Sequence, residues 1–258
     1  MVRGLDVFRE YFAAYADQFV LIGGTAATLV MEEAGLEFRA TKDLDIVLHI
    51  EALSPAFGEV FWRFVEAGRY EIRQAGDTGK PMLYRFQKPA NERFPVLLEL
   101  FCRAPDGIKL SEGSHLTPIP IDEAVASLSA ILLDDAYYEF IIKGCRKVEG
   151  LPRVGEDRLI PLKARAWLDL SGRQQMGENV GTKNILKHAN DVIRLSQLLA
   201  PDIRVDLAAG IAEDLNRFLD RIEEDRSIDP KSIKVNGSLA EIVERIALAY
   251  QLDRRRRS

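Results

Sequence analysis

The stretch Phe19-Val20-Leu21-Ile22-Gly23-Gly24-Thr25, followed after a short apolar segment by Thr41-Lys42-Asp43-Leu44-Asp45-Ile46, decides how the rest of the chain is read. Phe19 to Ile22 is too short and too uniformly apolar for an amphipathic helix, and two glycines follow it, which predicts a buried strand ending in a tight turn. Thr25 to Glu33 carries Ala26, Ala27, Leu29, Val30 and Met31, the composition of a helix that Gly35 can end. From Lys42 to Ile50 the pattern alternates: Leu44, Ile46 and Leu48 fall on one face, and Asp43, Asp45, Val47 and His49 fall on the other. Both aspartates therefore point the same way, beside a glycine turn that opens a helix.

That geometry carries a chemistry. Glycines let backbone approach phosphate oxygens, and the amides of a helix beginning near Thr25 are directed at them. Carboxylates at i and i+2 on a strand repel one another unless a hard divalent cation such as magnesium sits between them and bridges substrate phosphates. A third carboxylate on a neighbouring strand would complete such a site. Glu99 is the candidate, alone among apolar residues in Pro95 to Arg103, where Val96, Leu98 and Leu100 alternate with Leu97, Glu99 and Phe101.

Working outward, Leu5, Phe8, Phe12 and Ala16 predict a first amphipathic helix over 3–17, and Pro55 opens a helix running to Gly68. Tyr70 to Gln74 and Met82 to Gln87 read as a hairpin around Gly76 to Pro81, Asp122 to Leu133 as a helix, and Tyr137 to Cys145 as a strand. Composition changes over Gly150 to Asp157, after which helices are expected at about 159–171, 182–199, 205–222 and 239–251. The expected organisation is an α/β domain over 1–155 with a mixed sheet and a helical C-terminal domain over 156–258, closing over a cleft.

At 258 residues, with 47% hydrophobic and 29% charged residues, the chain has the composition of an ordinary globular protein. No apolar run reaches a bilayer-spanning length and the N-terminus lacks a signal-like apolar region, so a cytoplasmic protein with no membrane partner is expected. A net charge of −5 gives no global attraction to nucleic acid. The basic run Arg254 to Arg257 reads as a solvated end, and Arg146, Lys147 and Arg153 form a looser one. Cys102 and Cys145 read as reduced core thiols, and His49, His115 and His188 show no zinc-site spacing.

The motifs Gly23-Gly24-Thr25-Ala26, Thr41-Lys42-Asp43-Leu44-Asp45-Ile46 and Leu98-Glu99-Leu100-Phe101 together resemble the core of the DNA polymerase β-like nucleotidyltransferase superfamily. The wording Arg39-x-Thr41-x-Asp43-Leu44-Asp45 is most similar to its AbiEii/AbiGii toxin branch, the MenT-like nucleotidyltransferases. The helical half adds Lys163-Ala-Arg165-Ala-Trp-Leu-Asp169-Leu and Lys187-His-Ala-Asn190-Asp191-Val-Ile-Arg194-Leu, similar to that branch's lysine helix and its Lys-Asp-x-x-Asp helix.

The resemblance implies magnesium at Asp43, Asp45 and Glu99, and a nucleoside triphosphate (NTP) bound by Gly23, Gly24, Thr25, Arg39, Thr41 and Lys187. It also implies phosphate contact or catalysis by Lys163 and Asp191. The sequence departs from the pattern at His188, where the branch often has Asp, and at Glu99, where the superfamily usually has Asp. The implied reaction moves a nucleoside monophosphate to a tRNA 3′ end or a protein hydroxyl, in the toxin of a toxin-antitoxin or phage-defence pair with a cognate antitoxin. Small-molecule nucleotidylation of the antibiotic-modifying kind, and a catalytically silent binding module on the same fold, are the alternatives.

Without the upstream motifs, Lys183, Lys187 and Asp191 would read as a solvated i,i+4 ladder. Lys163, just after Pro161 at an expected helix start, opposes the usual dipole preference and so favours anion binding. Trp167 reads as core packing.

Overall fold

The computed structural model describes residues 2–49, 52, 54–72, 82–102 and 134–254. The expected turn over 76–81, the helix over 122–133, His115 and Arg255 to Arg257 lie outside the described residues. The fold is mixed α/β, and the chain divides into two compact units, 1–133 with 138–155 and 134–137 with 156–258.

In the first unit, α1 (Leu5–Phe12) leads through a 3-10 turn to β1 (Phe19–Leu21). Then follow α2 (Gly23–Glu33), β2 (Asp43–Leu48), α3 (Pro55–Gly68), β3 (Glu71–Ile72), β4 (Met82–Gln87) and β5 (Leu97–Cys102). After α4 (Asp135–Lys143) the chain forms β6 (Cys145–Val148) and β7 (Leu151–Val154). These strands make one seven-stranded sheet in the order β3-β4-β5-β2-β1-β7-β6. The sheet is mixed: β2 pairs with β5 and β1 with β7 in parallel, and the other neighbours are antiparallel. The expected hairpin between the strands near 70 and 82 is present as the antiparallel pair β3–β4.

Strand alternation sorts the core into two faces. Phe19, Leu21, Leu44, Ile46, Leu48, Leu98 and Leu100 join α1 and α3 in a buried cluster rich in aromatic rings, among them Phe8 stacked on Phe12 at 4.4 Å and Phe8 edge-on to Phe64 at 5.6 Å. The partners Val20 and Val47, and Phe101 beside Val47, face the other way, the side of Asp43, Asp45 and α2. Helix α3 starts where the sequence says it should. Pro55 occupies its first turn, and the Ser54 hydroxyl accepts from Phe57 N–H at 3.3 Å.

One expectation fails here. Tyr137 to Cys145 is helical over Asp135–Lys143, because the Asp134 carboxylate accepts from Ala136 N–H at 2.9 Å at its start. Tyr137, Tyr138, Phe140 and Ile141 then bury one helical side. Just before the units part at 155/156 the chain makes the hairpin β6–β7, turned by Glu149 and Gly150, both at positive φ (48° and 82°), as a tight two-residue hairpin turn requires. Arg153, counted in the loose basic run, is buried on β7 and paired with Glu33, whereas Arg146 and Lys147 are exposed. Cys145 is a free, half-buried thiol whose pKa burial pushes up.

The second unit contains α5 (Glu156–Gln175), α6 (Thr182–Leu195), α7 (Ala209–Glu224) and α8 (Leu239–Ala249). Helix α5 begins earlier than expected and carries Pro161 in its interior. Proline has no N–H to give the carbonyl four residues back, so Asp157 C=O loses its helical donor. The buried Tyr250 hydroxyl replaces it, donating to that carbonyl at 2.9 Å. Tyr250→Phe is therefore expected to destabilise the protein by about 1–3 kcal/mol, the cost of orphaning a buried carbonyl. An unchanged urea midpoint would show that Pro161 needs no such compensation. Trp167 packs as expected in the core, edge-on to Phe218 at 5.3 Å with the Arg221 guanidinium 4.9 Å from its ring centre. Among the described residues no helix is long and apolar enough to cross a membrane.

Candidate active site

The first unit brings the expected strand residues together. β2 and β5 run in parallel with Asp45 opposite Glu99, and β4 runs antiparallel to β5 with Arg85 opposite Glu99. Arg85, Glu99 and Asp45 thus form one row across three strands. Asp45 and Glu99 are each only 7% exposed, and Asp43, one residue pair further along β2, is half-buried. Arg85 donates to Glu99 Oε1 from Nε at 2.9 Å and from Nη2 at 2.5 Å.

The glycine turn sits directly on this acidic row. Gly24 N–H donates to Asp45 Oδ2 at 3.2 Å, and Ile22 N–H to the Asp45 carbonyl at 3.0 Å. Gly23 adopts φ +66°, and a Cβ there would lie 2.6 Å from Asp45 Cγ, on top of the carboxylate. A Cβ at Gly24 would meet Thr41 Oγ1 at 2.5 Å, with Arg39 Nη2 at 3.8 Å. Gly23 is needed for conformation as well as close approach, Gly24 for close approach alone. The first turn of α2 thus packs closely on Thr41, with the Arg39 guanidinium nearby. Thr25 behaves differently from expectation: fully buried, its hydroxyl donates to the Asp43 carbonyl at 2.6 Å. Its one proton is engaged in fixing the end of β2 against α2.

Burial above all, then the adjacent Asp45 carboxylate, pushes the Glu99 carboxyl from 4.5 up to about 8, against the pull of Arg85. Near neutrality Glu99 therefore tends to hold its proton. Such a site, made of oxygen donors with a charge excess that burial makes costly, fits a hard divalent cation in chemistry. Among the described residues, however, no three His, Cys, Asp or Glu side chains are gathered as a ready-made cage.

A raised folded-state pKa contributes stability that is present in full below the unfolded value and lost as pH rises through the folded value. Metal-free protein is thus expected to lose stability between pH 4.5 and about 8, and Glu99→Gln to flatten that slope. Urea midpoints across this range in chelator test it. Parallel slopes for the two proteins would contradict it.

The helical-half residues belong to the second unit. Lys163 Nζ lies 3.0 Å from Asp191 Oδ2, with side chains 8% and 0% exposed. Lys163 is in the interior of α5 rather than at a helix start, and the first turn already holds Glu156 and Asp157. The dipole argument for it therefore lapses. The expected charge ladder is solvated only at Lys183: Lys187 is half-buried and Asp191 fully buried. His188 is half-buried, and His49 Nδ1 lies 3.1 Å from the Asp17 carbonyl, the ring donating.

Arg85 was missed in sequence. Its signal is a lone arginine next to Phe86 within a strand-like run, but only the β4–β5 register shows that it meets Glu99. Compared with known proteins, the chain matches no family model, no curated protein and no solved structure.

Proposed function

We propose that the chain is a magnesium-dependent nucleotidyltransferase of the polymerase β-like kind. It transfers a nucleoside monophosphate from an NTP to the hydroxyl of a tRNA 3′ end or a protein, as the toxin of a toxin-antitoxin or phage-defence pair. The observation that carries this reading is the Gly23-Gly24 turn seated on Asp45, with Glu99 in register beside it.

In this reading Asp43, Asp45 and Glu99 hold the divalent cation, which when bound neutralises phosphate charge and lowers the pKa of the acceptor hydroxyl. Gly23 and Gly24 let the first turn of α2 close onto Asp45, and by the resemblance this turn and Arg39 take the triphosphate. Thr41 packs against Gly24 and shapes that approach. Thr25 keeps β2 and α2 in register, so the carboxylates and amides stay aimed at one point. Lys163, Lys187 and Asp191 enter only through the resemblance, which assigns the lysines to phosphate or nucleotide and Asp191 to catalysis.

The test is a panel of the four labelled NTPs with magnesium, offered tRNA, total protein and aminoglycosides as acceptors. Label on tRNA or protein supports the reading. Label on the small molecules alone would move the chain to the antibiotic-modifying class, and no label on any acceptor would favour a silent binding module.

A further inference from the structure

Arg85, Glu99 and Asp45 are register partners on three adjacent strands, so their side chains leave one face of the sheet side by side. Arg85 places two N–H groups on a single oxygen, Glu99 Oε1, at 2.9 and 2.5 Å, with side chains only 18% and 10% exposed. A carboxylate held this way cannot swing without breaking charge-assisted bonds out of bulk water, so the direction of its second oxygen is set too. The arrangement is more than a strand-to-strand ion pair, because Glu99 also faces a second carboxylate that would otherwise repel it.

We propose that Arg85 is the positioning residue of this site. By fixing Glu99 through Oε1, it orients the carboxylate so that the row of acids receives a divalent cation, an inference that rests on the metal-dependent reading above. The sign of the effect separates positioning from mere charge. A guanidinium acting only through its charge opposes a second cation, and its removal tightens cation binding. One that orients a ligand strengthens binding, and its removal weakens it.

The test uses the full chain and manganese, a paramagnetic substitute for magnesium, with free ion read by electron paramagnetic resonance. Arg85→Gln is expected to weaken manganese binding about tenfold, the usual effect of losing a group that orients a ligand. Arg85→Lys keeps the charge and one donor and is expected to weaken it by roughly threefold, so it serves if Arg85→Gln does not fold. In the Glu99→Gln background, Arg85→Gln is expected to add nothing, since its effect passes through Glu99. The proposal is overturned if either Arg85 variant binds manganese as tightly as wild type or more so, or if the loss is the same with and without Glu99. If Asp43→Ala with Asp45→Ala leaves manganese binding intact, the cation site itself is wrong, a different failure from that of Arg85.

Discussion

Asp43→Ala combined with Asp45→Ala is expected to lower NTP-dependent labelling of the acceptor by at least about 10³-fold, or roughly 4 kcal/mol of transition-state stabilisation. The size follows from what the two residues share. They lie on one face of β2, with Asp45 buried against Glu99 and under the glycine turn. Removing both takes away the negative charge that would hold a cation against the phosphates, and no backbone group can replace it. The fold should survive, because removing Asp45 gives up the Gly24 hydrogen bond but also relieves the Asp45–Glu99 repulsion. Thermal melting of the variant checks this, and intact labelling by the folded variant would end the proposed mechanism.

Lys163→Met is expected to have the largest effect on stability, about 3–5 kcal/mol. Asp191 is fully buried on α6, and the Lys163 ammonium 3.0 Å away on α5 is an opposite charge beside it. Deleting the lysine leaves a carboxylate out of water without that charge. Replacing both partners, Lys163→Met with Asp191→Leu, removes both buried charges and should recover most of the loss, since a buried ion pair gains little over an apolar pair of similar volume. Urea unfolding of the single and double variants measures the difference. A single variant as stable as the double one would contradict the account of this pair.

Where local chemistry decides the structure, the sequence was readable. The strand, Gly-Gly turn, helix and acidic strand follow from composition and alternation, and Pro55 announces α3. Tyr137 to Cys145 misled because β-branched and aromatic residues suit strands, while the helix depends on the Asp134 cap and on burial of one side. Pro161 suggested a helix start because a proline inside a helix needs a substitute donor, and Tyr250 is distant in sequence. The pairing of β2 with β5, which sets Glu99 beside Asp45, and of β4 with β5, which brings in Arg85, are non-local choices that alternation alone cannot rank. Thr25 read as a hydroxyl for phosphate, and its engagement with the Asp43 carbonyl depends on how β2 packs on α2, which spacing does not show.

Titration calorimetry with NTPs, with and without magnesium, tests the central claim most directly, because it needs no knowledge of the acceptor. The account predicts that wild-type protein binds at least one NTP with magnesium, with an affinity between about 1 μM and 1 mM. Chelation, or Asp43→Ala with Asp45→Ala, should abolish that binding. Failure to bind any NTP, or binding that is indifferent both to magnesium and to the two aspartates, would contradict it.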